Sequence, residues 1–106
     1  MDAAGASVNA RCKRSNHTPL HEAVIGGHTE VVAFLISRGA NIMMRDNTDS
    51  LPIHIACANN HISIVRILLN SKGAKKTLLV KDGKGKTARQ LCASKFLRTI
   101  LEGLFL

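Results

Sequence analysis

The sequence predicts an all-α repeat protein: about three helix-turn-helix units in a row, the last of them degenerate. Two observations carry this. The block at 17–37, HTPLHEAVIGGHTEVVAFLIS, returns 33 residues later as SLPIHIACANNHISIVRILLN at 50–70. Within each block apolar residues recur at helical spacing, and glycine, asparagine and polar runs interrupt them at matching points.

The elements follow in order. Pro19 aligns with Pro52, His21 with His54, Ala23 with Ala56 and His28 with His61. The apolar set Val31, Val32, Leu35 and Ile36 aligns with Ile64, Val65, Leu68 and Leu69. A weaker third copy lies 36 residues further on, with KTARQLC at 86–92 standing for HTPLHEA. There Ile100, Leu101, Leu104 and Phe105 take up the apolar set, at i, i+1, i+4 and i+5 on one helix face. Thr18 can cap a first helix with its hydroxyl, and Pro19 carries the fixed φ that a first turn wants. Gly26-Gly27 ends that helix about two turns later. A second helix is expected from near Thr29 and Glu30, which suit its cap and first turn, to Gly39, which tolerates left-handed φ. Polar, turn-forming runs, NIMMRDNTDS and KKTLLVKDGKGK, separate the helix pairs. Asn16, Asp49 and Gly85 sit at equivalent points two residues before each cap, and all three residue types accept φ > 0. A repeated tight turn is expected there.

TPLHEA with GGHTEVVAFLISRGAN resembles the consensus of the ankyrin repeat family. LPIHIACANNHISIVRILLNSKGA is a second match, with Leu51 in place of the usual Thr and Asn60 in place of the usual Gly. GKTARQLC is a degenerate third, as in a terminal repeat. The resemblance spans about residues 5 to 106. It implies a β-hairpin-like loop and two antiparallel helices per unit, stacked into a curved solenoid. It also implies a concave face of loops and first helices that binds partner proteins, without catalysis. The expected layout is one domain over 1–106: a tail and loop of a preceding partial repeat (1–13), repeats at 14–46 and 47–81, and a degenerate repeat at 82–106. GASVNAR at 5–11 matches the loop GANIMMR at 39–45, yet no helix pair precedes it. The chain therefore reads as a fragment of a longer array. Val24 and Phe34 do not look like the polar outer face of a terminal repeat, and ILEGLFL leaves the other end apolar. Self-association through uncovered terminal repeats, with a structural or self-assembling role, is the alternative to partner binding.

Composition narrows the classes. A chain of 106 residues, 45% apolar, supports one small domain. With no Trp or Tyr and three Phe, its core must be aliphatic. Three cysteines, at 12, 57 and 92, form no close pair, so reduced thiols and an intracellular setting, cytoplasm or nucleus, are expected. No basic-then-apolar leader opens the chain, and no apolar run reaches the roughly 20 residues needed to span a bilayer. The net charge of +8 suits an acidic protein, acidic lipid or nucleic acid.

Gly85-Lys86-Thr87 looks like the end of a phosphate-binding loop, but the Walker pattern needs Gly at position 80, where Val80 stands, and a strand in a parallel sheet before it. Asp82 aligns instead with Asp46, and the stretch reads as a repeat loop; nucleotide binding is a remote alternative. His17 and His21 are four apart, but Pro19 keeps them off one continuous helix, and no further ligands complete a zinc site. His21 and His54 are expected to tie the turn together. Cys57 and Cys92 fall at small core positions. Cys12, between Arg11 and Lys13, is the one thiol with cationic neighbours, and reads as an exposed loop residue. No catalytic, cofactor-binding or metal-binding residues are assigned. Arg11, Lys13, Arg14, Arg45, Lys75, Lys76, Lys81, Lys84 and Lys86 would form one positive edge if the loops line up, attracting an acidic protein segment. Nucleic acid is disfavoured as partner, because aromatic stacking platforms and a recognition helix are missing. On the first helices Glu22, Ile25 and Gly26, then Ile55, Ala58 and Asn59, face the concave side by register. Arg45 and Asp46 are expected at a loop tip as polar contacts. The candidate partner-binding set is thus Arg11, Arg14, Glu22, Ile25, Arg45, Asp46, Ile55, Asn59 and Lys84.

Overall fold

The computed structural model describes residues 9, 16–71, 73–92 and 94–103, with the backbone alone at 96 and 101–103. Through them run α1 (Pro19–Ile25), α2 (Thr29–Ser37), α3 (Pro52–Ala58), α4 (Ile62–Leu69), α5 (Ala74–Thr77), α6 (Ala88–Leu91) and α7 (Lys95–Gly103). Among the described residues there is no strand. The first helices α1, α3 and α6 pack in succession, each against its own second helix, and α2 packs on α4. This is the expected all-α solenoid, one helix pair leaning on the next.

The sequence places each helix start. The Thr18 hydroxyl accepts from the His21 amide at 3.3 Å, and His21 Nδ1 accepts from the Thr18 amide at 3.2 Å. That reciprocal cap satisfies two amide groups a helix start leaves open. Thr87 and Gln90 repeat it in α6, where the Thr87 amide donates to Gln90 Oε1 at 2.9 Å. Leu51 keeps only half: its amide donates to His54 Nδ1 at 2.9 Å, while its side chain is buried in the core. The helix α2 starts at Thr29, as expected, and only its cap differs. His28 and His61 are the N-caps of α2 and α4, with no side-chain cap bond, and Thr29 lies inside the first turn rather than capping it. Gly39 closes α2 as expected, at φ 94°, its amide bonded to the Ile36 carbonyl and that of Ala40 to Leu35.

The repeated tight turn is present in all three copies. Asn16, Asp49 and Gly85 have φ of 61°, 57° and 79°. Asn60, in the place of Gly27, adopts the same left-handed region at φ 57°, which Asn tolerates better than most residues.

Leu20, Val24, Val32, Ile53, Cys57, Val65, Leu68 and Leu97 are buried in a continuous aliphatic core. Val24, read above as part of an uncovered flank, belongs to this core, because α1 turns it toward α2 and α3. The flank itself is nonetheless apolar: Phe34 is 60% and Val31 47% exposed, whereas Ile64, in Val31's register, is 1% exposed. Ile64 lies in the middle helix pair, with described repeats on both sides. Two features differ from expectation. The run KKTLLVKDGKGK is not wholly a polar turn, since α5 forms across its start and Ala74, Thr77 and Leu78 are buried there. This extra turn accounts for the longer second spacing. Of the third copy's apolar set, Ile100 is half-buried in α7, Leu101 has only its backbone described, and Leu104 and Phe105 lie outside the described residues.

Candidate protein-interaction surface

The loops are built on an aspartate that repeats. Asp46 Oδ1 accepts from the amides of Thr48 (2.8 Å) and Ser50 (3.0 Å) and from the Thr48 hydroxyl (2.7 Å). Asp82 Oδ1 accepts from the amides of Lys84 and Lys86, both at 2.9 Å. In each loop the aspartate amide also bonds back across the turn, to Ser50 and to Lys86. The GKGK stretch is thus wrapped around a carboxylate. Two of its amides, which would cradle a phosphate in a nucleotide-binding loop, are spent on an anion the chain supplies itself, and those of Gly83 and Gly85 on the carbonyls of Thr48 and Asp82. Residues 77–80, where a phosphate-binding loop would need its strand, form the end of α5 and a turn.

Asp46 is therefore not the exposed tip contact the sequence suggested. It is 6% exposed, and its second oxygen meets His17 Nε2 at 3.1 Å, so the loop itself consumes the carboxylate. Burial pushes the Asp46 carboxyl up, but the bonds from Thr48 and Ser50 outweigh it and hold the group below the usual carboxylate range. At Asp82 the Lys86 amide, then that of Lys84, does the same against slight burial. Arg45 is also partly consumed, because its Nη1 donates to the carbonyls of Asp49 and Lys81, at 3.0 Å each, and so braces one loop against the next.

The histidines do what their register predicts. His21 Nε2 donates to the Ser50 carbonyl at 3.0 Å, and His54 Nε2 to that of Val80 at 2.9 Å. Each ring accepts at Nδ1 from its own cap and donates at Nε2 to the next loop, which fixes the neutral tautomer. Burial holds the His54 imidazole below its ordinary value of 6.5, against the raising pull of the Val80 carbonyl. Between the lowered folded value and 6.5 the unfolded chain binds more protons, so this stabilisation is complete above 6.5 and drains away as pH falls below it. The aspartates add a second loss below their ordinary value of 3.8. Urea denaturation over a pH series should show both steps, and His54→Gln should flatten the upper one. A wild-type stability constant from neutral pH down to about 5 would contradict this.

The remaining candidates fall on one strip. Glu22, Ile55 and Leu91 occupy the same register on α1, α3 and α6, so the strip turns from acidic to apolar along the array. Glu22 and Ile25 are exposed, with Glu22 beside His17 Nδ1. Gly26, Ala58 and Asn59 are exposed, and Ile55 is half-buried. Ile55, Ala58 and Leu91 line a hollow of about 230 Å³, with Thr48, Asp82 and Lys84 among its polar neighbours. Of the predicted residues the structure thus brings Ile55 and Lys84 together with Ala58, and leaves Glu22, Ile25 and Asn59 outside that hollow. Leu91 was missed, although the repeat register alone places it beside Ile55. Of the cations expected along the loops, Lys84 lines this hollow and Lys76 another, with Ile36 and Ile42. Arg11 and Arg14, with Lys13 and Cys12, lie outside the described residues.

Cys57 is wholly buried, and burial, then the neighbouring Cys92, pushes its thiol far above the ordinary range. Cys92 is half-buried, its Sγ donating to the Ala88 carbonyl at 3.4 Å. Both are core residues, as expected. Among the described residues no three His, Cys, Asp or Glu side chains gather to hold a metal ion, and no helix is long and apolar enough to cross a membrane.

A stack of helix pairs with histidine-tied loops and an exposed first-helix strip defines a repeat scaffold of the protein-binding class. A family model for ankyrin repeats, in three copies, matches residues 3–80. The chain belongs to the ankyrin repeat family. It is 44% identical over 64 residues to mouse (Mus musculus) protein phosphatase 1 regulatory subunit 27, covering 60% of this chain and 41% of that protein. Mouse Rabankyrin-5 is 35% identical over 74 residues, 70% of this chain and 6% of that one. Among solved structures, the ankyrin repeat domain of Bcl-3, a member of the IkappaB protein family, superposes with a TM-score of 0.86 at 26% identity. That match covers 93% of this chain and 42% of the other. The chain spans less than half the length of each of these relatives.

Proposed function

We propose that this chain is a non-catalytic binding module that takes a peptide or loop of a partner protein along its concave strip, with Ile55, Ala58 and Leu91 as the apolar floor and Lys84 at the rim. The observation that carries the reading is that hollow: an apolar base of first-helix residues, open at the surface and edged by loop polar groups. Apolar anchors surrounded by polar rims supply most of the energy of protein interfaces. The name of the mouse relative, a regulatory subunit, fits a protein that acts by binding another. Lys84 and its neighbours favour an acidic segment in that partner.

The test is affinity capture from cell extract with the wild type and with Ile55→Asp. Ile55 is only half-buried, so the variant should keep its helical circular dichroism while losing about tenfold or more of the captured partner. Equal capture by both would sink the groove reading. Nucleotide binding at Gly85-Lys86-Thr87 makes the opposite demand. Millimolar ATP with Mg²⁺ should leave the melting temperature unchanged, because Asp82 already occupies the loop amides. A clear rise would require that carboxylate to leave.

A further inference from the structure

We infer that the flank of the third repeat holds a second site, for an oxyanion carried on a peptide: a glutamate or aspartate carboxylate, or a phosphate monoester. It goes beyond the groove and does not depend on it. Lys86, Arg89, Gln90 and Arg98 line an open hollow of about 450 Å³. Among the described residues that line it three of four are cations and none is acidic, and none of the three cations has an ion-pair partner among the described residues. Like charges gathered round one depression repel each other, and an anion seated among them relieves that repulsion. Two guanidinium groups add planar forks of N–H donors matched to carboxylate and phosphate oxygens.

The repeat register makes the arrangement distinctive. Arg89 stands in the place of Leu20 and Ile53, both buried in the core. The fold takes an aliphatic residue at this point in two copies and an exposed cation in the third. Gln90 stands in the place of His21 and His54, whose Nε2 atoms donate to the following loop. The Gln90 Oε1 is taken by the Thr87 amide, while its Nε2 has no acceptor among the described residues. A donor that the other repeats spend on their own chain is thus left at the edge of a cationic hollow.

The experiment is fluorescence anisotropy at low ionic strength with three labelled peptides: one with a run of glutamates, one with a phosphoserine, and a neutral glutamine and serine analogue. The first two should bind and the neutral one should not. Arg89→Leu with Arg98→Gln should weaken binding by about tenfold or more. Arg89→Leu installs the residue type of the other repeats, so folding should survive; circular dichroism checks it. Ile55→Asp acts on the groove, so a loss in that variant as large as in the arginine variant would move the peptide to the groove and overturn the inference. Lys75→Gln with Lys76→Gln removes equal charge from another face and should cost less than about threefold. A tighter phosphoserine complex would assign the site to phosphate, a tighter glutamate complex to carboxylate, and equal affinity to either oxyanion. The inference is overturned if neither anionic peptide binds, or if the Lys75 and Lys76 variant weakens binding as much as the arginine variant.

Discussion

Replacing His54 with alanine should cost about 3 kcal/mol, the largest single loss expected from one residue of the repeat signature. The ring is buried and joins two elements at once. Its Nδ1 accepts the Leu51 amide at 2.9 Å, and its Nε2 donates to the Val80 carbonyl at 2.9 Å. Alanine leaves both partners facing a void. A buried unpaired amide or carbonyl costs roughly 1–3 kcal/mol, and the lost packing adds to it. Leu51 makes the position more sensitive than its counterpart His21. Thr18 offers a hydroxyl at the cap of α1, whereas Leu51 offers α3 nothing but its backbone. His54→Gln should recover part of the loss. Gln90 shows how, since its Oε1 accepts the Thr87 amide at 2.9 Å in the equivalent position of α6. The tie to Val80 would still be missing. Urea melts at neutral pH should therefore rank wild type above His54→Gln above His54→Ala. A cost below about 1 kcal/mol for alanine would mean that Leu51 and Val80 find other partners, and that the histidine tie contributes little.

What the sequence revealed depended on how many residues carried each signal. The helix pairs were legible because Val31 to Ile36 and Ile64 to Leu69 repeat both spacing and type. The left-handed turn was legible from three residues, Asn16, Asp49 and Gly85, because few residue types accept that conformation. The helix α5 was not legible. Four residues make one turn, too few for a period, and Gly73 at φ 79° looks in sequence like a loop residue. The start of α2 was legible but its cap was not, because threonine suggests a polar cap, while this fold places histidine there without a side-chain bond. The site was harder. Ile55 followed from register, and Leu91 was equally readable. The inward fate of Asp46 was not, since an aspartate in a polar loop reads the same whether it faces solvent or folds back on its own amides. The brace made by Arg45 was hidden for a similar reason: its bond to the Lys81 carbonyl crosses 36 residues.

Gly83→Ala should be the most damaging of the glycine changes at ordinary backbone angles, at about 2 kcal/mol. The two loops touch there: the Gly83 amide donates to the Thr48 carbonyl at 2.9 Å. A Cβ at position 83 would lie 2.5 Å from that oxygen and 3.2 Å from its carbon. Both atoms are backbone, held by the bonds that fold Thr48 and Ser50 around Asp46, so neither can swing aside. The alanine must push the loops apart, at the edge of the hollow that Thr48, Asp82 and Lys84 border. Gly26→Ala is the control. Its Cβ would come equally close, 2.5 Å, but to the ring of His28, an exposed side chain free to rotate. At φ −77° the Gly26 backbone already suits alanine, so the net effect should stay within about 0.5 kcal/mol. Denaturation of both variants measures the difference, and hydrogen exchange locates it: protection should fall at the amide of residue 83 and at Lys84 and Lys86, while α2 is unaffected. Partner capture should weaken in Gly83→Ala and not in Gly26→Ala, because only the first disturbs the wall of the hollow. Equal stability losses in the two variants would show that the contact between loops yields as readily as a surface histidine, and that the groove does not owe its shape to it.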